Sequence, residues 1–230
     1  MFTSHLGITD QSEKEAPLII LPSVWFRNTW NWGYDDYKPQ LSAEEADHIK
    51  INHRDLEIKN IYARQSAKVL FCDNESNNER LYQSPNKSRY CKDGINDFVL
   101  TGNSQVINPK NTGTKASFFI EESFQGRESR VFEFRISDKE LKDPFSNFET
   151  TIESRHKEAD DFYAEIQKGI TSEDEKLVQR QAFAGMLWNK IFYHYNISKW
   201  LKGDPAEITP PKSREKIRNF EWTHLNNFDI

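Results

Sequence analysis

The sequence predicts a β-sandwich portion followed by an α-helical segment, a multidomain chain with its β and α parts segregated. Three observations lead there. Apolar residues recur at every second position in short runs within residues 1–140. Long stretches rich in Asn, Asp, Ser and Gly join those runs, and such residues tolerate left-handed backbone and make side-chain turns. Strands joined in this way point to antiparallel pairing. After Pro144 the apolar spacing becomes helical.

The elements follow in order. Residues 18–26 form an apolar run interrupted by Pro22, and 58–62, 67–71 and 114–120 are short β-type runs. In residues 130–136, Phe132, Phe134 and Ile136 alternate with Val131, Glu133 and Arg135, which predicts one face on a core and one in water. Residues 73–79 and 102–105 read as loops. Phe148, Ile152, Ala159, Phe162 and Ile166 mark a helix, with Gly169 as its stop. Ser172-Glu-Asp-Glu175 is a capping box, in which the hydroxyl takes an orphan amide of the first turn. It opens a helix expected to run to about Gly203, with Leu177, Ala184, Leu187, Trp188, Ile191 and Tyr195 on a wide apolar face. A face that wide needs partners on more than one side. Trp188 and Trp200 fall in this pattern and are expected in a core. A Pro-rich connection over 204–211 follows, with no completed element expected beyond it.

Composition bounds the function. A chain of 230 residues makes one large domain or two small ones. With 16 Phe, 8 Tyr and 6 Trp it has the aromatic area of a folded protein, whereas disordered chains have little. A net charge of −5 excludes a protein that coats nucleic acid, which needs a concentrated basic face. Residues 1–16 hold Asp10, Glu13 and Glu15 and no apolar core, so they do not read as a secretory signal. The longest aliphatic run, Leu18-Ile-Ile-Leu21, is too short to span a bilayer. A cytoplasmic location without membrane attachment is the expectation, and Cys72 and Cys91 are expected as reduced thiols.

The densest chemistry lies in Trp25-Phe-Arg-Asn-Thr-Trp-Asn-Trp-Gly33, with three tryptophans in eight residues. Indole stacks on the C–H face of a sugar ring, and Arg27 and Asn28 offer planar partners for hydroxyls. The same pattern also suits an aromatic core whose polar neighbours tie down backbone, and both readings stand. The acid pairs Asp35-Asp36 and Asp160-Asp161 and the group Asp73, Glu75 and Glu79 read as solvated faces. The histidines His5, His48, His53, His156, His194 and His224 show no metal-ligand spacing, so no metal or other cofactor is expected. From the residues alone, no catalytic constellation emerges.

Several blocks together resemble one family. They are Leu21-Pro-Ser-Val-Trp-Phe-Arg-Asn-Thr-Trp-Asn-Trp-Gly33, Asn74-Glu-Ser-Asn-Asn-Glu-Arg-Leu81, Tyr90-Cys-Lys-Asp93, Asn108-Pro-Lys-Asn-Thr-Gly-Thr-Lys-Ala116 and Pro144-Phe. Leu177-Val-Gln-Arg-Gln-Ala-Phe-Ala-Gly185, Phe192-Tyr-His-Tyr195, Trp200-Leu-Lys-Gly-Asp-Pro205 and Trp222-Thr-His-Leu-Asn-Asn227 complete the set. In order and spacing they resemble the bacterial glucosidase-like proteins related to glycoside hydrolase family 63, the family of processing α-glucosidase I. The resemblance implies that residues 1–140 are the C-terminal part of an N-terminal β-sandwich and that 141–170 are a helical linker. Residues 171–230 would then be the first helix and following loop of an (α/α)6 toroid. It also implies hydrolysis of glucosidic bonds with inversion, by an Asp acid and a Glu base. The substrate would be an oligosaccharide glucoside.

The family's acid lies in a Trp-Asp motif after the Trp-x-His-Leu-Asn-Asn stretch, and its base much later. Asp229 lacks that context and does not take the acid role. The chain thus reads as a fragment of a larger enzyme, hydrolytically silent alone, with the remainder of the same enzyme as its partner. Residues Arg27, Asn28, Trp30 and Trp32, together with His224, Asn226 and Asn227, are the candidate sugar-facing residues. An opened sandwich and an uncovered helix predict low solubility or self-association. The competing expectation is a non-catalytic carbohydrate-binding or interaction module, with Trp30 and Trp32 as stacking platforms.

Overall fold

The computed structural model describes residues 2–190, 194–206, 209–218 and 220–227. The chain divides into two compact units: unit one is Met1–Asn28 with Tyr37–Ile152, and unit two is Thr29–Asp36 with Glu153–Ile230. Among the described residues it combines antiparallel sheets with five α-helices.

Unit one holds strands β1 (Phe2–Thr9), β2 (Ala16–Ile20), β3 (Ser23–Trp25), β4 (Gln40–Glu45), β5 (His48–Asn52), β6 (Asn60–Ala63) and β7 (Lys68–Cys72). Helices α1 (Asn78–Tyr82) and α2 (Gly94–Thr101) come next, followed by β8 (Thr112–Gly113), β9 (Lys115–Phe124) and β10 (Ser129–Ser137). One sheet runs in the order β1-β10-β6-β5-β4-β8; in the other, β9 pairs with β2, β3 and β7. Alternation puts Phe118 and Phe124 of β9 against Phe134 and Phe132 of β10, with ring centroids 6.3 and 6.4 Å apart. That is the inter-sheet core. The other face of β7 is buried as well: Leu70 and Cys72 pack with Ile95 and Ile107 beneath α2. With both faces covered, β7 reads as an unbroken apolar run. Burial pushes the Cys72 thiol up to about 12 and also raises that of Cys91; both cysteines are free and buried.

The apolar run over 18–26 is interrupted at Pro22 as expected, giving β2 and β3, because Pro22 has no N–H for a ladder; its carbonyl instead accepts Phe118 N–H at 3.0 Å. Two expectations for unit one need correction. Residues 73–79 and 102–105 are not wholly loop, since α1 begins at Asn78 and a 3₁₀ turn occupies Ser104–Val106. The outer face of β10 is not in water either. Arg135 is 1% exposed and Glu133 is buried. Arg135 Nη1 bonds Pro144 O and, at 2.7 Å, Asn147 Oδ1, while Arg64 Nε lies 2.6 Å from Glu133 Oε2. Segment 144–149 therefore covers that face. Burial, and then a hydrogen bond shared with Glu149, raise the Glu133 pKa against the opposing pull of Arg64.

α3 (Phe148–Ile166) begins on Phe148, which is fully buried against Phe145 with a centroid separation of 5.6 Å. Its residues from Glu153 onward belong to unit two. Gly169, expected as its stop, lies beyond its last turn. α4 (Glu173–Trp188) starts as the capping box requires, with Ser172 Oγ accepting Glu175 N–H at 3.4 Å. Arg180 bridges the two helices, reaching Asp160 at 2.6 Å and lying over the Tyr163 ring at 4.7 Å. Gln167 Nε2 also donates to Lys176 O at 2.8 Å.

The second helix does not run to Gly203. It ends at Trp188, and the strand β11 (Tyr195–Asn196) and the helix α5 (Ile197–Lys202) follow. Asn196 Oδ1 caps α5 by accepting Lys199 N–H at 2.8 Å, a start signal that competes with helix continuation. Gly203, at φ 77°, ends α5 rather than α4. Ile191 lies outside the described residues. Trp188, expected in a core, is 87% exposed, because nothing in unit two covers that end of α4 among the described residues. β12 (Asn226–Asn227) pairs with β11, so an element does close after the Pro-rich connection.

Candidate functional site

The tryptophan-rich segment straddles the two units. Its first part belongs to unit one, where Asn28 Nδ2 donates to Asn74 O at 2.8 Å and to Glu75 Oε2 at 3.0 Å. Asn74 Nδ2 returns a bond to Phe26 O at 2.8 Å. Glu75 is buried, and Lys38 Nζ lies 3.2 Å from Asp73 and 3.8 Å from Glu75. The Asn28 amide thus ties β3 to the turn after β7, while Arg27 is exposed. Nearby, burial would raise the Asp93 pKa, but hydrogen bonds from Asn77 and Arg80 outweigh it and hold the carboxyl below its ordinary value.

Trp30–Trp32 forms a 3₁₀ turn in unit two, closed by Trp32 N–H to Thr29 O at 3.1 Å. Gly33 follows at φ 84°, and a Cβ there would stand 2.8 Å from Ala206 Cβ, so both backbone and space call for glycine. Ala206 N–H donates to Trp32 O at 3.0 Å. Tyr34 Oη donates to Asp204 Oδ1 at 2.9 Å, a bond that raises the phenol pKa, and Lys199 Nζ sits 4.9 Å above the Tyr34 ring. The turn is therefore seated on α5 and the segment just after it. Trp30, Asn31 and Trp32 are half-buried, which leaves part of each side chain to solvent.

The distal candidates meet the same helix at its other end. Leu225 O accepts Ile197 N–H at 3.1 Å, and Tyr195 and Asn196 pair with Asn227 and Asn226. His194 Nε2 lies 3.2 Å from Asn226 Oδ1. His224 stacks on Trp222 with centroids 5.7 Å apart. Beneath them Trp200 takes the Arg214 guanidinium on its face at 4.6 Å and the Tyr195 ring edge at 6.4 Å.

Of the sequence candidates, Trp30 and Trp32 thus lie in the turn by one end of α5 and His224, Asn226 and Asn227 in the segment by its other end, all in unit two, whereas Arg27 and Asn28 belong to unit one. Sequence reasoning missed Tyr34, Lys199 and Asp204, which seat the turn. The only available signal was the Gly203-Asp-Pro205 break, which places a short polar side chain directly after a helix. Asp229 lies outside the described residues. Among the described residues no group of His, Cys, Asp and Glu could hold a metal ion, and no helix is long and apolar enough to cross a membrane.

No protein-family model matches the chain, and no solved structure does. It is similar to the uncharacterized protein YMR196W of Saccharomyces cerevisiae, with 30% identity over 271 residues. That alignment takes in 98% of the chain but only 24% of the yeast protein, so the chain spans about a quarter of its relative's length.

Proposed function

We propose that the chain is part of an inverting α-glucosidase-like glycoside hydrolase related to glycoside hydrolase family 63. It acts on glucosidic bonds in oligosaccharides, with unit two facing the sugar. The observation that carries this reading is that two indoles lie by one end of α5 and an imidazole and two carboxamides by its other end. Indole faces suit the apolar face of a pyranose, and amides and imidazole both donate to and accept from its hydroxyls. The order of a two-sheet β unit and then helices is compatible with a sandwich, a linker and the opening of a toroid. On this reading residues 141–170 are the linker, and the exposed apolar sides of α4 take neighbouring helices.

No residue of this chain is given the acid or base role. Inversion needs two carboxyls roughly 6.5–9.5 Å apart, one protonated and one ionised, with a water between. Asp73, Asp93, Glu133 and Asp160 are each engaged by a cationic side chain. The 230-residue chain is thus expected to bind glucose-terminated oligosaccharides weakly and to release no p-nitrophenol from p-nitrophenyl α-glucoside. Calorimetric titration of Trp32→Ala and Trp188→Ala checks the site: binding is lost in the first and kept in the second. Turnover by the chain alone overturns the placement of catalysis elsewhere, and binding indifferent to Trp32 overturns the site. Sugar binding without hydrolysis in the longest form of the protein favours a non-catalytic carbohydrate-binding module.

A further inference from the structure

The outer face of β10 buries charge. Glu133, Arg135 and Ser137 share that face by strand alternation, and Tyr62, Asn60 and His48 continue it across β6 and β5. All six are buried. Buried polar groups need partners, and most of these have them. Tyr62 Oη accepts Leu141 N–H at 2.9 Å, His48 Nε2 lies 2.8 Å from Asn60 Oδ1, and Glu133 has Arg64. Arg135 is the exception.

Its guanidinium cannot shed its charge. Nη1 donates to Pro144 O and Asn147 Oδ1, and both acceptors are neutral. Nε and Nη2 are buried with no partner among the described residues, none of which brings a carboxylate within ion-pair distance of Arg135. Those two nitrogens are the edge of a guanidinium that grips an anion through parallel N–H bonds. A buried cation left in this way has lost its hydration and gained no opposing charge in return. The start of α3 adds to the same field. Asn147, which Arg135 holds, directly precedes the helix, and the amides of Glu149 and Thr150 have no partner among the described residues. Orphan amides and the macrodipole make that end positive.

The carboxyls of the neighbourhood do not supply the missing charge. Glu133 lies 2.6 Å from Arg64 and shares a hydrogen bond with Glu149. Two carboxyls joined by a hydrogen bond hold one proton between them, so they set one negative charge against two guanidiniums. We propose that Arg135 holds a small inorganic anion, of halide size, on its Nε–Nη2 edge beside the start of α3. That edge is sealed from solvent, so a halide suits it better than a phosphate or an organic acid. The anion balances the buried charge and thereby helps to fasten segment 144–149 to the sheet. The site lies wholly within unit one, and the inference is independent of any carbohydrate activity.

Thermal unfolding of the full chain in sodium chloride and in sodium gluconate, at equal ionic strength, tests it. Chloride is expected to raise the Tm in proportion to its occupancy of the folded state. The chloride affinity read from that dependence should fall about tenfold or more in Arg135→Met and stay unchanged in Arg130→Met, whose guanidinium is paired with Glu122 and Glu128. In crystals soaked in sodium bromide, an anomalous peak is expected within hydrogen-bond distance of Arg135 Nε and Nη2. The bromide peak decides alone if Arg135→Met does not fold. Stability that follows ionic strength whatever the anion, chloride dependence kept in Arg135→Met, or a water without anomalous signal at that edge overturns the inference.

Discussion

The two units use their apolar residues in opposite ways. Among the described residues, Ile197 is the sole buried hydrophobic side chain of unit two, and every other one belongs to unit one. Unit two instead exposes Phe162, Leu177, Val178, Met186, Leu187 and Trp188. On α4 these residues point in all directions around the axis, the pattern of a helix meant to be enclosed. Hydrophobic content alone does not tell where a core will form. What decides is whether the elements that carry it have faces to meet, and unit one supplies two antiparallel sheets with packed aromatic faces while the helical unit supplies one pair of helices.

The sharpest way to break this contrast is mutation at matched aromatic positions. Phe71→Ala, at a fully buried position of β7, should cost unit one ~3–5 kcal/mol in urea denaturation followed by near-ultraviolet circular dichroism. Next in size, Ser172→Ala should lower the stability of α4 by about 1 kcal/mol, read as helical signal lost at lower urea, because an orphan amide loses its acceptor.

A smaller effect comes from pH. The Glu133 pKa is raised in the fold, so the stability this group adds is fully present below the ordinary value of 4.5 and is lost as pH rises through the raised value. The stability of the parent protein relative to Glu133→Gln should therefore fall across the window just above pH 4.5. Parallel curves there would remove Glu133 from the account of unit one. Smallest of all, Trp188→Ala should leave unfolding within about 0.5 kcal/mol of the parent. A clear loss would mean that unit two has a core after all.

Much of unit one was legible because its strands announce themselves as short apolar runs, β10 with a clean alternation. β10 shows where that reading stops. Period two announces two faces but not what covers the second one, and Arg135 was put in water because the bonds that bury it come from Pro144 and Asn147, after the strand has ended. β4 and β5 escaped notice because their alternation, Leu41 and Ala43 around Ser42 and Ile49 and Ile51 around Lys50, spans only two apolar positions each, and α2 is too short for helical spacing to stand out. In unit two the capping box marked the start of α4 correctly. Its end was hidden because Asn196 caps a new helix inside an apolar pattern that continues regardless. The candidate site was legible as residue types only. That the Trp32 turn and Asn227 are each tied to a segment flanking α5 depends on a two-residue strand pair and on α5 itself, neither of which has a periodicity to read.

The placement of the thiols has a practical consequence. Both cysteines lie in unit one, and Cys72 is sealed between a strand and α2. A sulfhydryl reagent added under native conditions would therefore clock the rate at which that layer breathes open. It would be blind to every motion of the helical unit, so the chain carries a built-in stopwatch for one half of itself.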